Sequence, residues 1–417
     1  MRRTRVNICF RALSMQSFCN KRTDSKLETY VKNALDNYME LYLRPIRISP
    51  CNFGVSFTDA HVKYTRYNIP PQNEKVHVKF STVFHEGFET LDDHLKKNTG
   101  VFEITDVENE LGLDRFPAVA ALRMFLSEMR KHEECLKEAV DLHGQLTDGH
   151  SETFITALLG SHLLSRLVYG QQYRICRHNR HYRPGFCPCF HSNCKEKIVY
   201  QHIGFGHEDL WYGQPDVVLF SKQESYRHMV PVLFYDGVSE ETEDIDSNME
   251  SLDIDSSNGK FKHFAGQALS HAITFAFYQS NLTDVRNAEP LRSLIPSLVI
   301  TPKYYYLVMY DYVNDILLSS GHQDSSLWDD TGCSFNSSAI LHIWMILNYR
   351  DFTPFLNLNV KNCIAHSSNV QNILQDQNLM KKTKEIQRKD DFISTSGNDS
   401  DDDNGEDLTV LYVNKAD

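Results

Sequence analysis

The chain has 417 residues, of which 41% are hydrophobic and 11% aromatic, so its composition supports a sizeable buried core. No run of about eighteen apolar residues occurs, so the sequence predicts no transmembrane helix and no membrane partner. The formal charge of −12 at pH 7 is distributed very unevenly along the chain.

Two acidic segments carry much of this charge. Residues 239–257 and residues 390–407 contain eight acids each and no Lys or Arg. The rest of the chain has 39 of the 55 acidic residues and all 43 basic ones, so its formal charge is slightly positive. Acidic, Ser-rich segments of this kind are usually disordered. We therefore expect a mildly basic folded part, for which nucleic acid is a permitted partner.

The first 23 residues contain five Arg, one Lys and no acid, which predicts a disordered basic arm over 1–24. The alternative interpretation of this arm is a mitochondrial presequence. No unbroken apolar segment typical of a secretory signal occurs near the start, and the ten cysteines are irregularly spaced. We expect an intracellular protein with reduced thiols, nuclear or cytoplasmic, or mitochondrial under the alternative.

The sequence of the N-terminal part predicts an accessory region of mixed secondary structure over 25–145. Ser25 and Glu28 have the spacing of a capping box, and apolar residues follow at helical spacing. The predicted elements are a helix over 26–42 that Pro45 terminates, a strand over 76–84 and a helix over 115–142. None of them indicates a chemistry.

From about residue 149 the pattern of elements changes. The predicted elements are helices over 151–169, 261–280 and 337–348, and strands over 197–205, 211–220, 229–236, 294–301, 304–311 and 315–319. This order predicts an α/β (α+β) domain over 149–358, with a central mixed β-sheet flanked by helices. The acidic insert 239–257 interrupts it, and a disordered acidic tail is expected over 361–417.

One acidic residue stands at the beginning of an apolar strand. In GQPDVVLF, residues 213–220, a turn leads Asp216 into the strand, where an unpaired acid would be costly. Glu152 lies in the first turn of the preceding helix, and Gln267 lies on the helix that follows the strand MVPVLFYDG. This order resembles the core of the PD-(D/E)XK nuclease superfamily, with the restriction-endonuclease-like fold, over roughly 149–320. It is also similar to uncharacterised animal proteins of this type.

The resemblance implies a site in which two carboxylates bind Mg²⁺ and a lysine acts on the attacking water. Glu152 and Asp216 would be the metal ligands. The positions of the second carboxylate and the lysine are occupied by Val232, Leu233, Phe234 and Tyr235, none of which can replace them. The nearest acid is Asp236, which a turn with Gly237 also explains.

Several functions remain open for this remnant site of Glu152, Asp216, Asp236 and Gln267. We expect a degenerate domain that acts as a binding or interaction module, and therefore not an enzyme. One alternative is an active Mg²⁺-dependent nuclease in which Lys262, His263 or Gln267 has taken over the missing role. Another is a non-enzymatic scaffold that works through its acidic segments. Glu152 also suits a helix start whatever the function, because the helix dipole favours an acid there.

Cysteine and histidine are concentrated in CRHNRHYRPGFCPCFHSNC, residues 176–194. Four thiolates can hold zinc tetrahedrally, which makes Cys176, Cys187, Cys189 and Cys194 candidate ligands beside His178, His181 and His191. Cys187 and Cys189 are only one residue apart, which departs from the usual zinc knuckle. Reduced thiols with surface histidines are the alternative.

The same stretch is basic and rich in aromatic residues. The candidate nucleic-acid-binding residues are Arg174, Arg177, Arg180, Arg183, Lys195 and Lys197, among which Tyr173, Tyr182, Phe186 and Phe190 are interspersed. Basic side chains can bind phosphates while aromatic rings stack on single-stranded DNA or RNA bases. The alternatives are a solvated hairpin face, or a surface on which the acidic insert 239–257 of the same chain docks.

Overall fold

The structure is a computed structural model that describes most of the chain between residues 40 and 385. The described residues are 29–30, 32, 40–49, 51–70, 74–97, 116–143, 150–168, 172–176, 183–189, 191, 194–220, 229–234, 259–282, 293–321, 325–375 and 377–385. The basic arm 1–24, the acidic insert 239–257 and the acidic segment 390–407 lie outside them.

The elements are as follows in chain order. The strands are β1 (Tyr42–Ile48), β2 (Val55–Ser56), β3 (Tyr64–Arg66), β4 (Asn68–Ile69), β5 (Glu74–Lys75), β6 (Val78–Lys79), β7 (Gln172–Cys176), β8 (Tyr200–Gln201), β9 (Phe205–Gly206), β10 (Trp211–Gly213), β11 (Val217–Phe220), β12 (Met229–Phe234), β13 (Leu294–Ile300), β14 (Tyr304–Asp311), β15 (Ile316–Ser319), β16 (Ser325–Ser326) and β17 (Lys384–Glu385). The helices are α1 (Phe80–Val83), α2 (His85–Lys97), α3 (Phe116–His143), α4 (His150–Leu159), α5 (Gly259–Leu282), α6 (Ser337–Leu347), α7 (Tyr349–Phe352), α8 (Leu358–Ile364), α9 (Val370–Leu374) and α10 (Gln377–Lys382).

A large mixed sheet forms the centre of the fold. Within the described residues it has eleven strands in the order β3-β1-β15-β14-β13-β12-β11-β7-β8, with β16 paired to β14 and β6 to β1. The pairs β12–β13 and β7–β8 are parallel and the other pairs are antiparallel. Helices pack on this sheet, α5 against β13 and β14 and α6 against β13. The predicted α/β (α+β) class with a central mixed sheet is therefore confirmed.

The central strands are apolar at almost every position. All seven residues of β13 are buried, as are the four residues of β15, because helices cover the sheet. Helix α6 is buried along nearly its whole length, and Asn336 caps its start by accepting hydrogen bonds from the amides of Ser338 and Ala339. The core thus lies where the sheet meets α5 and α6.

The elements around the candidate sites follow one another in a simple order. Helix α4 precedes β7, β11 and β12, which pair antiparallel with β11 in the middle. Helix α5 then leads from β12 to β13, which lies parallel to β12. The predicted helices over 115–142, 151–169, 261–280 and 337–348 are confirmed within two residues at each end.

The prediction of a strand over 76–84 is wrong after its first residues. Only Val78 and Lys79 pair with β1, and the chain then turns into α1 and α2. Phe80, Val83 and Phe84 are all fully buried. Their spacing of three and four residues places them on one helix face. Because most residues of the segment are apolar, the sequence does not distinguish this helical period from the two-residue period of a strand.

The helix predicted over 26–42 extends too far along the chain. Residues 29, 30 and 32 are helical, but Tyr42 already opens β1. Pro45 lies inside β1, opposite Leu318 of β15. The segment 42–48 therefore extends the sheet of the predicted domain 149–358.

The predicted strand over 211–220 is divided in two. Residues 211–213 form β10 in a second sheet, ordered β17-β9-β10-β2, and the large sheet resumes at β11. The break occurs at Gly213, whose φ of 153° and close approach to the ring of Phe57 leave no room for a side chain. The strand predicted over 197–205 is likewise reduced to β8 and the start of β9.

The predicted disordered tail over 361–417 begins too early. Helices α8, α9 and α10 and strand β17 occupy most of residues 358–385. Ile364, Val370 and Leu374 bury their side chains in the core. These apolar residues are widely spaced in a polar sequence, so they leave a weak periodic signal.

Candidate metal centre and basic hairpin

Helix α4 changes its winding just where it carries a buried histidine. After Leu159 the chain continues as a π-helix, Gly160–Leu164, and then as a 3₁₀-helix, Ser165–Leu167. His162 lies in the π-helical part and is only 1% exposed. The carbonyl of Ser161 accepts a hydrogen bond from Nε of Arg166 at 2.8 Å, outside the regular helical ladder. Short π-helical segments are frequent at functional sites.

A β-hairpin faces this part of the helix. We call it the cysteine hairpin, and its described residues are 183–189, 191 and 194–198. Phe186 and Lys197 form an antiparallel bridge, and the amide of Cys187 donates to the carbonyl of Glu196 at 2.7 Å. The Glu196 carboxylate accepts a hydrogen bond from Arg166 at 2.5 Å. This half-buried ion pair ties the hairpin to the helix that carries His162.

The hairpin and the helix bring four potential metal ligands together. The ligand atoms of His162, Cys187, Cys189 and Cys194 all lie within 4.8 Å of one another. Nε2 of His162 is 3.1 Å from Sγ of Cys187 and 3.8 Å from Sγ of Cys194. Around a tetrahedral zinc ion, ligand atoms of these types stand about 3.6 to 3.8 Å apart. The donor set suits a small tetrahedral metal ion, and the ligand atoms lie near the separations that such an ion imposes without matching all of them.

Burial sets the protonation of these groups. It lowers the pKa of His162 to about 4, with the charges of Arg166 and Lys131 acting in the same direction. The imidazole is thus neutral at pH 7, which is the form that binds a metal. Burial also raises the pKa of the Cys187 and Cys189 thiols, so a metal ion that binds them must displace their protons.

Helix α3 packs two further side chains against this cluster. Nδ1 of His132 is 3.1 Å from Nδ1 of His162, and the His132 ring stacks on Phe125 with an interplanar angle of 6°. Cys135 lies one turn further along α3 and is fully buried. Burial and the neighbouring thiols raise the pKa of Cys135 to about 12.

The predicted zinc ligands are only partly the ones that the structure brings together. Cys187, Cys189 and Cys194 meet, but Cys176 does not belong to the group. Cys176 ends β7, and its thiol hydrogen-bonds the side-chain oxygen of Gln214 in the turn before β11. The fourth potential ligand is His162, which the sequence does not predict because it lies 25 residues before Cys187 on an apolar helix. A buried polar residue in such a helix was the only signal.

The acidic residues of the predicted remnant site lie elsewhere. Glu152 is half-buried in the first turn of α4, and Asp216 is half-buried just before β11. Oδ2 of Asp216 accepts a hydrogen bond from the amide of Phe234 at 2.8 Å, which links the start of β11 to the end of β12. Gln267 is half-buried on α5. Asp236 lies outside the described residues.

Neither carboxylate belongs to a metal-binding group in the described part of the chain. The one group of three or more potential ligands found there consists of His162 and the three hairpin cysteines. On β12, Val232 pairs with Val217, and Leu233 and Phe234 are buried beside it.

The basic residues of the stretch have different environments. Arg183, Lys195 and Lys197 are exposed on the cysteine hairpin. Arg174 is half-buried on β7, where Nη1 donates to the carbonyl of Tyr173. Phe186, on the hairpin, exposes 61% of its surface. The remaining candidates, Arg177, Arg180, His178, His181, Tyr182 and Phe190, lie outside the described residues.

Comparison with known proteins gives no relative: no family model, no curated protein and no solved structure matches this chain. Among the helices that the structure describes, none has both the length and the apolar character needed to cross a membrane.

Proposed function

We propose that this protein is a non-catalytic nucleic-acid-binding module, built on a core of the PD-(D/E)XK nuclease type and held in shape by a zinc ion. The binding surface is the exposed side of the cysteine hairpin. The ligand is single-stranded DNA or RNA, because an aromatic ring can stack only on a base that is free of its own helical stack.

The observation that carries the proposal is the exposure of Phe186 among basic residues. A phenylalanine that exposes 61% of its surface forms a cross-strand bridge with Lys197, and Arg183 lies three residues before it. A stacked base gains about 1–3 kcal/mol on such a ring, and basic side chains beside it bind the phosphates by releasing counterions.

The order of elements supports the nuclease-like core. The chain order is helix α4, the antiparallel strands β7, β11 and β12, the crossover helix α5, and β13, which is parallel to β12. The short strands β8, β9 and β10 lie between β7 and β11. Asp216 lies just before the middle strand, β11. In the PD-(D/E)XK superfamily, which this order of elements resembles, a metal-binding aspartate occupies that position.

The neighbourhood of Asp216 supports the absence of catalysis. Its carboxylate accepts a hydrogen bond from the amide of Phe234 and so has a structural role. The strand opposite presents Val232, Leu233 and Phe234, which supply neither a second oxygen ligand nor a lysine. Hydrolysis through Mg²⁺ requires both kinds of group near the phosphate.

Zinc is the metal that best suits the cluster of His162, Cys187, Cys189 and Cys194. Three sulfur ligands and one imidazole favour Zn²⁺ over Mg²⁺ or Ca²⁺, which take oxygen ligands. Four protein ligands leave no open coordination position, so the ion would be structural. It would fix the cysteine hairpin on the π-helical segment and thereby hold Phe186 and its basic neighbours in place.

The proposal is tested by measuring binding of fluorescent single-stranded DNA and RNA oligonucleotides to the full chain. Phe186→Ala should weaken binding by about tenfold, since it removes a stacking platform. The double variant Lys195→Gln/Lys197→Gln should also weaken it, whereas Lys303→Gln/Lys381→Gln makes the same change of charge at exposed positions elsewhere and should not. Equal binding by all these variants would refute the hairpin as the binding surface.

A nuclease assay with Mg²⁺ or Mn²⁺ on the same preparation tests the absence of catalysis. We expect the oligonucleotides to remain intact. Metal-dependent cleavage that is lost in Asp216→Ala would establish the alternative of an active nuclease with rearranged residues.

A further inference from the structure

We infer that His132 is a positioning residue of the metal centre, fixing the tautomer and orientation of the ligand His162. This inference rests on the proposal that the cluster binds zinc. It assigns a role to a residue outside the four potential ligands. His132 lies thirty positions before His162 and forms its hydrogen bond with His162.

The geometry of the two histidines divides the roles of their nitrogen atoms. Nε2 of His162 faces the thiols of Cys187 and Cys194, whereas Nδ1 of His162 faces Nδ1 of His132 at 3.1 Å. A metal ion takes the lone pair of Nε2, so the proton of the neutral ring must lie on Nδ1. Nδ1 of His162 then donates a hydrogen bond, and Nδ1 of His132 must accept it.

This assignment determines the state of His132 as well. A neutral His132 that accepts at Nδ1 carries its own proton on Nε2. That nitrogen lies 3.7 Å from the carboxylate of Glu128, one helical turn earlier on α3, which is beyond hydrogen-bond distance. The direct contact that orients the ligand is therefore the one between the two Nδ1 atoms.

Burial makes the pairing obligatory. His132 and His162 are each only 1% exposed, so water cannot replace one ring as the partner of the other. The stack on Phe125 holds the plane of the His132 ring. A metal-bound imidazole whose second nitrogen lost this acceptor would leave a buried N–H unpaired, which weakens metal binding.

The test compares two replacements of His132 in the full chain. His132→Phe keeps the ring and the stack on Phe125 but has no acceptor, whereas His132→Asn places an amide oxygen near the position of Nδ1. Zn²⁺ affinity is measured by competition with a chromophoric chelator, and Co²⁺ spectra report the ligand set. We expect His132→Phe to weaken Zn²⁺ binding about 10- to 100-fold and His132→Asn to restore most of it. Both should keep the tetrahedral Co²⁺ spectrum with three sulfur ligands.

The outcomes separate this inference from the zinc proposal. A wild-type chain that binds neither Zn²⁺ nor Co²⁺ refutes the zinc site itself. A wild-type chain that binds zinc, together with His132→Phe of equal affinity, refutes the role of His132 alone.

A measurement on the unmodified chain keeps the inference testable should His132→Phe fail to fold. In the zinc-loaded chain with ¹⁵N-labelled histidine, two-bond N–H correlations identify the tautomers. We expect the proton of His162 on Nδ1 and that of His132 on Nε2. A proton on Nδ1 of His132 would overturn the inference, because that nitrogen could then not accept.

Discussion

His162, on the π-helical continuation of α4, and Cys187, on the cysteine hairpin, approach to 3.1 Å between Nε2 and Sγ. Both side chains are buried, and Cys189 and Cys194 complete the group. One contact thus joins a helix on the sheet to the segment that carries the exposed Phe186.

The ligand set predicts which cysteines matter for metal content. We expect about one zinc ion per chain in the wild-type protein, and its loss in Cys189→Ser or Cys194→Ser, because three-ligand sites hold zinc much less tightly. Cys176→Ser is the matched control, since Cys176 hydrogen-bonds Gln214 instead. Metal analysis after gel filtration provides the measurement. Loss of zinc in Cys176→Ser as well as in the other two variants would favour the ligand set predicted from the sequence.

Helix α5 approaches the N-terminal region closely at Gly266. A Cβ atom at this position would lie 2.1 Å from the carbonyl oxygen of Ala60. Gly266→Ala must therefore push helix and loop apart, and we expect it to lower the free energy of unfolding by about 3 kcal/mol. Gly185→Ala is the control, because a Cβ there meets nothing within 4 Å. Denaturant unfolding of the two variants should differ clearly, and equal midpoints would contradict the packing described.

Two buried histidines away from the metal centre predict acid sensitivity. Burial lowers the pKa of His271 to about 3 and that of His342 to about 3. An unfolded histidine titrates near 6.5, so the unfolded state binds more protons between these values. The free energy of unfolding therefore falls as the pH decreases below about 6.5, by at most about 1.4 kcal/mol per pH unit for each histidine.

A single replacement tests this origin of the pH dependence. His271→Gln should reduce the slope of stability against pH between pH 6 and 4 by about one proton, whereas His61→Gln changes an exposed residue and should leave it unaltered. Thermal unfolding over this range gives both slopes. An unchanged slope in His271→Gln would mean that other groups cause the acid sensitivity.

Asp216 predicts a structural effect that is independent of Mg²⁺. Its Oδ2 accepts from the amide of Phe234, so Asp216→Ala leaves that donor unpaired and should cost about 1–2 kcal/mol of stability. Asp216→Asn retains an acceptor and should cost less. Millimolar Mg²⁺ should not change the melting temperature of the wild-type chain. A rise that Asp216→Ala abolishes would show that the carboxylate binds the ion.

The sequence predicted the parts of the fold that have strong local signals. Helices α3, α5 and α6 have long apolar periodicities, and β13 and β14 are continuous apolar runs between turns. The pairing of β1 with β15 could not be predicted, because it joins segments more than 270 residues apart in a register that no local pattern specifies.

In the candidate site, too, the sequence predicts the residues that are close along the chain and not those that only tertiary packing brings together. Cys187, Cys189 and Cys194 are close in sequence, so their concentration indicated a metal site. His162 reaches them only through tertiary packing and a local π-helical winding, neither of which leaves a spacing rule. The position of Cys176 at the end of a strand, pointing to Gln214, likewise depends on sheet geometry.

The most direct test of the central claim is the salt dependence of oligonucleotide affinity for the zinc-loaded full chain. If Arg183, Lys195 and Lys197 bind phosphates, a plot of the logarithm of the association constant against the logarithm of salt concentration should have a slope of about −2. In the lysine variants this slope should become less steep by about 0.7 for each contact removed. An affinity that is absent or independent of salt would contradict the account and would leave the hairpin without a nucleic-acid role.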